Sequence, residues 1–404
     1  MQLTGICASS DNLRTHIRGI LTKHPEWRSS LAAFALESAW SLGEWDDVAE
    51  SVQHVEEALP EHGIGKAFLC MRQDDTSGFK AALQEARDLV GKPIFSAGSA
   101  GYPRIVESIT QLHMLHELEM IQAIPKHARQ GSGQVTDLLA SLRARLQSSV
   151  PSFRTREALL SLRRSAFGVR SDSPDLLAEV GRCWTTTAKI ARKAGHVQTA
   201  YSAVLQASRE NAAFAFVQNA KLLASNGDVQ HALREVETTL QCSVFRLPNT
   251  GAETDTAGGT AANAIDLTDS PQGGRACGAA AGVAESAKLS AADIAKACLL
   301  RARLMELSGR FESNEVISGY KQSSKVDPRA EKSWYFLGRY YDSLRDAPLA
   351  VPMQHKGFVV RFFLKAAMSG TKYFYRTMPR VATIWLDAGE DTALVKASKL
   401  GRPM

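Results

Sequence analysis

The chain has 404 residues, 44% of them hydrophobic and 22% charged, with 48 Lys and Arg against 42 Asp and Glu for a net charge of +6. This balance fits an ordinary globular protein, and with the basic residues spread along the chain in short clusters a solvated helix surface is expected rather than a nucleic-acid groove. Six scattered cysteines (Cys7, Cys70, Cys183, Cys242, Cys277, Cys298) form no Cys-x-x-Cys pair, so no zinc site or disulfide framework is expected and a reducing compartment fits.

In chain order, residues 1–24 read as a helical or partly disordered segment without the apolar run of a signal peptide. Residues 27–59 read as a helical hairpin. Leu31, Phe34, Ala35, Leu36 and Ala39 recur at helical spacing, Gly43 stops the helix, and Trp45 to Leu59 forms the return. Another pair occupies 65–90, broken near Asp74–Gly78. The Pro-, Gly- and Ser-containing stretch Gly91–Pro103 predicts a loop, followed by helices from Arg104 to Ile124 and from Val135 to Leu146.

Pro151 to Phe167 is basic and helical, and its Arg163-Arg164 pair, like Arg192-Lys193, reads as a solvated face. Ser173-Pro174-Asp175 is a helix start: serine caps, proline presets the first turn and aspartate meets the positive end of the dipole. Residues 248–289 are rich in Gly, Ala, Thr, Ser and Asp with almost no large apolar side chains. They are expected to form a disordered insertion. Ser290-Ala291-Ala292-Asp293 has the form of a capping box that restarts the helices.

One formula recurs four times: Gly, polar, apolar, at Gly43-Glu44-Trp45, Gly195-His196-Val197, Gly227-Asp228-Val229 and Gly309-Arg310-Phe311. Glycine ends a helix in the left-handed conformation, and the apolar residue two positions on is expected to dock the next helix. Ala200 and Ala232 then mark close helix crossings. Trp334, Leu337, Gly338 and Tyr341 fit the W-x2-L-G-x2-Y signature of a tetratricopeptide first helix. Strand signals are thin. The expected fold is all-α: a tetratricopeptide- or HEAT-like solenoid of stacked helical hairpins, with helical repeats over 25–247 and 290–390 and a tail over 391–404.

Catalytic constellations are missing from the sequence. Gly91-Lys92-Pro93 lacks the upstream glycine and the following Ser or Thr of a phosphate loop, and no kinase triplets or nucleophile elbow occur. His113, His116 and Glu117 are in the wrong order for a helical zinc site, so they are expected to form a polar rim beside the Leu112, Leu115 and Leu118 stripe. No catalytic, cofactor or metal residues are expected, nor is a membrane span or direct nucleic-acid contact.

Several segments in order resemble the FAT domain of the phosphatidylinositol-kinase-related protein kinases, and most resemble the ATR-type checkpoint members in a fungal-like form. They are Leu36 to Asp46 with Trp40 and Trp45, Phe153 to Arg164 with Glu157 and Leu162, Cys183-Trp184 with Ala191 to Tyr201, Phe311 to Asn314 with Trp334 to Asp342, and Met378-Pro379-Arg380 with Trp385-Leu386-Asp387. The resemblance spans about 25–390. It implies a non-catalytic regulatory scaffold of a nuclear serine/threonine kinase in the DNA-damage response. ATP and magnesium would then belong to the kinase domain of the parent protein, and an ATR-interacting-protein-type subunit would be a partner. No kinase domain is read before Met404, so a piece of a larger kinase or a truncated product is expected.

The resemblance places Met378 to Asp387 close to the kinase domain. The helices from Gly357 to Asp387 carry Phe362, Phe363, Tyr373, Phe374, Tyr375 and Trp385, more aromatics than one hairpin usually buries alone, so these are the candidate kinase contact, the alternative being ordinary repeat core. Ile265, Asp266, Leu267, Thr268 and Asp269 look like a SUMO-interacting motif, which adds a strand to a sheet edge, and Ser270-Pro271 follows as a proline-directed site. The competing reading is an independent tetratricopeptide adaptor that binds partner peptides in a groove.

Overall fold

The computed structural model describes residues 10–56, 59–96, 101–124, 133–170, 174–241, 290–345 and 354–388. Every regular element among them is helical. Packing divides the chain into two units, Met1–Gln218 and Asn219–Met404.

The first unit holds α1 (Ser10–Lys23), a 3-10 turn (Pro25–Trp27), α2 (Arg28–Leu42), α3 (Trp45–Val52), α4 (Pro60–Gln73), α5 (Thr76–Ser96), α6 (Tyr102–Gln122), α7 (Gly133–Ser148), α8 (Phe153–Val169), α9 (Pro174–Ala194) and α10 (Val197–Arg209). The division falls inside α11 (Ala215–Ser225). The second unit continues with α12 (Val229–Gln241), α13 (Ala291–Ser308), α14 (Ser313–Val326), α15 (Glu331–Arg345), α16 (Gln354–Ser369) and α17 (Phe374–Ala388).

Neighbouring helices pair as hairpins, and the four glycines make the turns. Gly43, Gly195, Gly227 and Gly309 have φ of 77°, 86°, 91° and 64°, the left-handed region that costs an L side chain about 1–2 kcal/mol. Ala200 and Ala232 are fully buried, as close crossings require. The docking residue holds in part. Trp45 packs against the core with its ring 5.8 Å from Phe68, whereas Val197 stays 43% exposed.

Ser173, expected to cap α9, lies outside the described residues, and local structure differs from expectation at two other places. Ser152 Oγ accepts from Thr155 N at 3.1 Å to start α8. Ser290 Oγ caps α13 by accepting from Ala292 N, but Asp293 turns to the Lys296 ammonium at 2.8 Å, so the expected reciprocal box is not closed. The closed box stands at Glu312 and Glu315, which start α14. The loop expected over Gly91–Pro103 begins later, because α5 runs through Pro93 to Ser96. Ile94 packs against the core and holds that last turn helical despite the missing N–H.

The first unit has one continuous core from Ala32 on α2 to Cys183 on α9. Helix α8 closes it by packing on α2, α4 and α6 as well as on α9, and Ser161 Oγ donates to Ser41 Oγ across that contact. In the second unit packing runs chiefly in chain order from α12 to α17. Leu337 and Tyr341 are buried there, Trp334 is half-buried, and the Trp334 indole donates to Pro328 O at 2.9 Å. Gly338 lets α16 approach, since a Cβ at this position would stand 2.7 Å from Phe363 Cδ1. No helix among the described residues is long and apolar enough to cross a membrane.

Candidate interaction surface on the last helices

The six aromatics read as one contact set separate into two groups. Phe362 and Phe363 are buried by this chain's own helices: Phe362 stacks on Trp334 at 5.9 Å and meets Tyr341 at 5.4 Å, and Phe363 lies 6.2 Å from Tyr335. They are hairpin core and are withdrawn from the surface. Tyr373 is half-buried, stacked on Tyr335 at 4.2 Å, with its backbone N–H donating to Glu331. Burial, then Tyr335 and Glu331, push its phenol above the ordinary range.

The remaining residues lie on α17 and face outward. Tyr375 is 86%, Trp385 68% and Leu386 72% exposed, with Phe374 also exposed. At 100° per residue, Tyr375, Met378, Ala382, Trp385 and Leu386 fall on one side of the helix, while Thr377, Val381 and Ile384 occupy the opposite, buried side. Arg380 pins the helix by two hydrogen bonds to Asp342 on α15, at 2.8 and 3.0 Å. The helix therefore carries two apolar faces, one spent on α16 and one open. Met378, Ala382 and Leu386 join this stripe without being aromatic, and their i, i+4, i+8 spacing is the sequence signal for it.

The other weighed residues fall into place as structure. Glu117 is not part of a polar rim. It is wholly buried on α6, and the Arg163 guanidinium of α8 grips it by two hydrogen bonds of 2.7 Å while also donating to Leu142 O of α7. His116 is exposed. His113 meets the Arg145 guanidinium, and burial together with that charge holds its imidazole below the ordinary value. Arg164, expected on a solvated face, is also buried. It donates to Glu157 and Thr187 and lies 3.8 Å from the Trp184 ring centre. Two of the resemblance segments thus meet in space through Arg164 and Trp184.

Among the described residues, no three His, Cys, Asp or Glu side chains gather as metal ligands. The segment Ile265–Asp269 lies outside the described residues.

The FAT domain profile matches residues 32–383. The chain is 26% identical over 419 residues to the serine/threonine-protein kinase ATR of Arabidopsis thaliana, covering 93% of this chain and 15% of the kinase. It is 24% identical to ATR of Oryza sativa subsp. indica, covering 96% and 15%. It is 20% identical to protein kinase rad3 of Schizosaccharomyces pombe, covering 90% and 14%. The chain thus spans about 15% of the length of the first of these relatives. Against the TPR domain of P58(IPK) the TM-score is 0.28 at 10% identity over 93% of each chain. At that value the hairpin assignment rests on the helices themselves.

Proposed function

This chain belongs to the FAT domain family, and on that premise we propose that it is the non-catalytic scaffold of an ATR-like serine/threonine kinase. In this reading the parent protein acts in the nucleus in the DNA-damage checkpoint, and its kinase domain supplies ATP and magnesium chemistry. A subunit of the ATR-interacting-protein type would bind the same parent. The scaffold passes mechanical bias: hairpins that pack mainly on their neighbours deform along the stack, and a partner that binds two shapes unequally shifts the kinase between them.

The observation that carries the reading is the open apolar face of α17. Tyr375, Trp385 and Leu386 project from a helix whose other side is already packed, and an exposed contiguous apolar stripe commonly marks a protein contact. In this reading the helix would lie toward the kinase domain, as the resemblance of Met378 to Asp387 implies. The test is the triple substitution Tyr375→Ser, Trp385→Ser, Leu386→Ser in the parent kinase purified from its native source. Phosphorylation of a protein substrate should fall about tenfold or more, the order expected when one hot-spot cluster is lost. Helix content of the 404-residue chain carrying the same changes should stay unaltered. Full kinase activity in the triple variant would remove α17 as the contact.

A further inference from the structure

A second surface lies on the α9–α10 hairpin of the first unit and has no role in the reading above. Between Glu179 and Glu210 the chain carries Arg182, Lys189, Arg192, Lys193 and Arg209, and no Asp or Glu. Arg182 is answered by Glu179 at 3.1 Å, and Lys189 has contacts of its own. Arg192, Lys193 and Arg209 form no ion pair among the described residues. Arg192 is half-buried, and its Nε is shut away from solvent without a hydrogen-bond partner. Burial holds its guanidinium below the ordinary value, and no carboxylate restores it. A cation left in that position gains from an anion brought to it.

These cations frame an apolar stripe. On α10 the buried side is formed by Thr199, Ala200, Ala203, Val204 and Ala207. Another side presents Val197 and Leu205, 43% and 63% exposed, with Tyr201 half-buried between them. The three stand at i, i+4 and i+8, one above the next along the helix. Arg192 and Lys193 end α9 just before the Gly195 turn, and Arg209 ends α10, about 18 Å along that helix from Val197. A stripe of this length with cations at both ends matches about three turns of a second helix, one with apolar residues at three- and four-residue spacing and Asp or Glu at its ends. Nucleic acid suits it less, because phosphate binding sums many cation contacts and gains nothing from Val197 and Leu205. The stripe is narrow and its rim is charged, the composition of a contact that forms and separates rather than of a permanent domain core.

We infer that the α9–α10 hairpin is the docking site for an acidic amphipathic helix of a partner protein, with Val197 and Leu205 against its apolar ridge and Arg192, Lys193 and Arg209 meeting its carboxylates. The contact is independent of α17, which belongs to the second unit.

Lysine reactivity tests this, on the full-length protein purified from its native source with its partners bound. Lys193 should be acetylated about tenfold more slowly there than in the isolated 404-residue chain, as at a site about nine-tenths occupied. Zero-length carbodiimide coupling, read by mass spectrometry, should join Lys193 to an Asp or Glu of another polypeptide, in a segment whose apolar residues recur at three- and four-residue spacing. About 0.5 M salt should weaken that coupling. Leu205→Glu keeps Lys193 and sets a carboxylate against carboxylates. It should bring Lys193 to within about twofold of its reactivity in the isolated chain, with helix content unchanged. Should Leu205→Glu disturb the fold, Arg209→Glu at an exposed position gives the same readout. The triple α17 variant should leave the Lys193 product in place, so the two contacts fail separately. Equal reactivity of Lys193 in the assembly and in the isolated chain, coupling only to carboxylates of its own polypeptide, or protection that nuclease removes would overturn the inference.

Discussion

Glu117 shows what a single side chain does here. It is fully buried, the Arg163 guanidinium that meets it is 4% exposed, and together they tie α6 to α8 while Arg163 reaches α7 through Leu142 O. A buried pair of this kind gains little over a well-packed apolar pair, but losing one partner strands a buried charge at a cost of about 3–5 kcal/mol. Glu117→Ala should therefore destabilise the first unit by that order, measured by urea unfolding followed by circular dichroism. Adding Arg163→Met to Glu117→Ala should recover part of the loss, because the buried Arg163 charge is gone while Arg145, whose Nε lies 3.6 Å from Glu117, still loses its carboxylate; an equally unstable double variant would mean that packing, not the Arg163 charge, dominates. None of this was legible locally. Glu117 and Arg163 are 46 positions apart, and each alone reads as a polar residue on an amphipathic helix. The leucines around Glu117 were readable; the arginine that lets a carboxylate sit among them came from a different element.

At the scale of the element, two kinds of glycine make the hairpins, for different physical reasons. Gly43 turns α2 into α3 at φ 77°, with open space where a Cβ would point. Gly338 sits inside α15, where a Cβ would press on Phe363. Gly43→Ala should cost about 1–2 kcal/mol from backbone conformation. Gly338→Ala should cost about 1–3 kcal/mol from overpacking, offset in part by the better helix propensity of alanine. Phe363→Leu should relieve the second and leave the first unchanged, as chemical denaturation of the two double variants would read out. The turn glycines were legible because a left-handed stop has a chemical signature. The role of Gly338 was legible only through its signature neighbours Trp334, Leu337 and Tyr341. The extension of α5 past Pro93 was not, because a proline is read as a stop unless one knows that Ile94 has a core to pack against.

The two units differ in how their helices support one another, and that difference bears on how a scaffold would transmit force. In the first, α8 returns to α2, α4 and α6, so distant parts of the chain share one core. In the second, the packing proceeds mainly from each helix to the next, with α13 also touching α15. The hairpin periodicity announced both as plain stacks, and only the second keeps to that plan. Cooperative opening should follow the packing. Hydrogen exchange on Leu160→Ala, a truncation of a buried α8 side chain, should raise exchange together in α2, α4, α6 and α8, although 111 or more residues separate α2 from α8. Gly338→Ala should raise it in α15 and α16 and fade by α12, as nearest-neighbour coupling requires. If the loss in the Leu160→Ala chain stayed within α8 and α9, the closed core would not be a cooperative unit, and the second unit would not differ from the first in the way its strain travels.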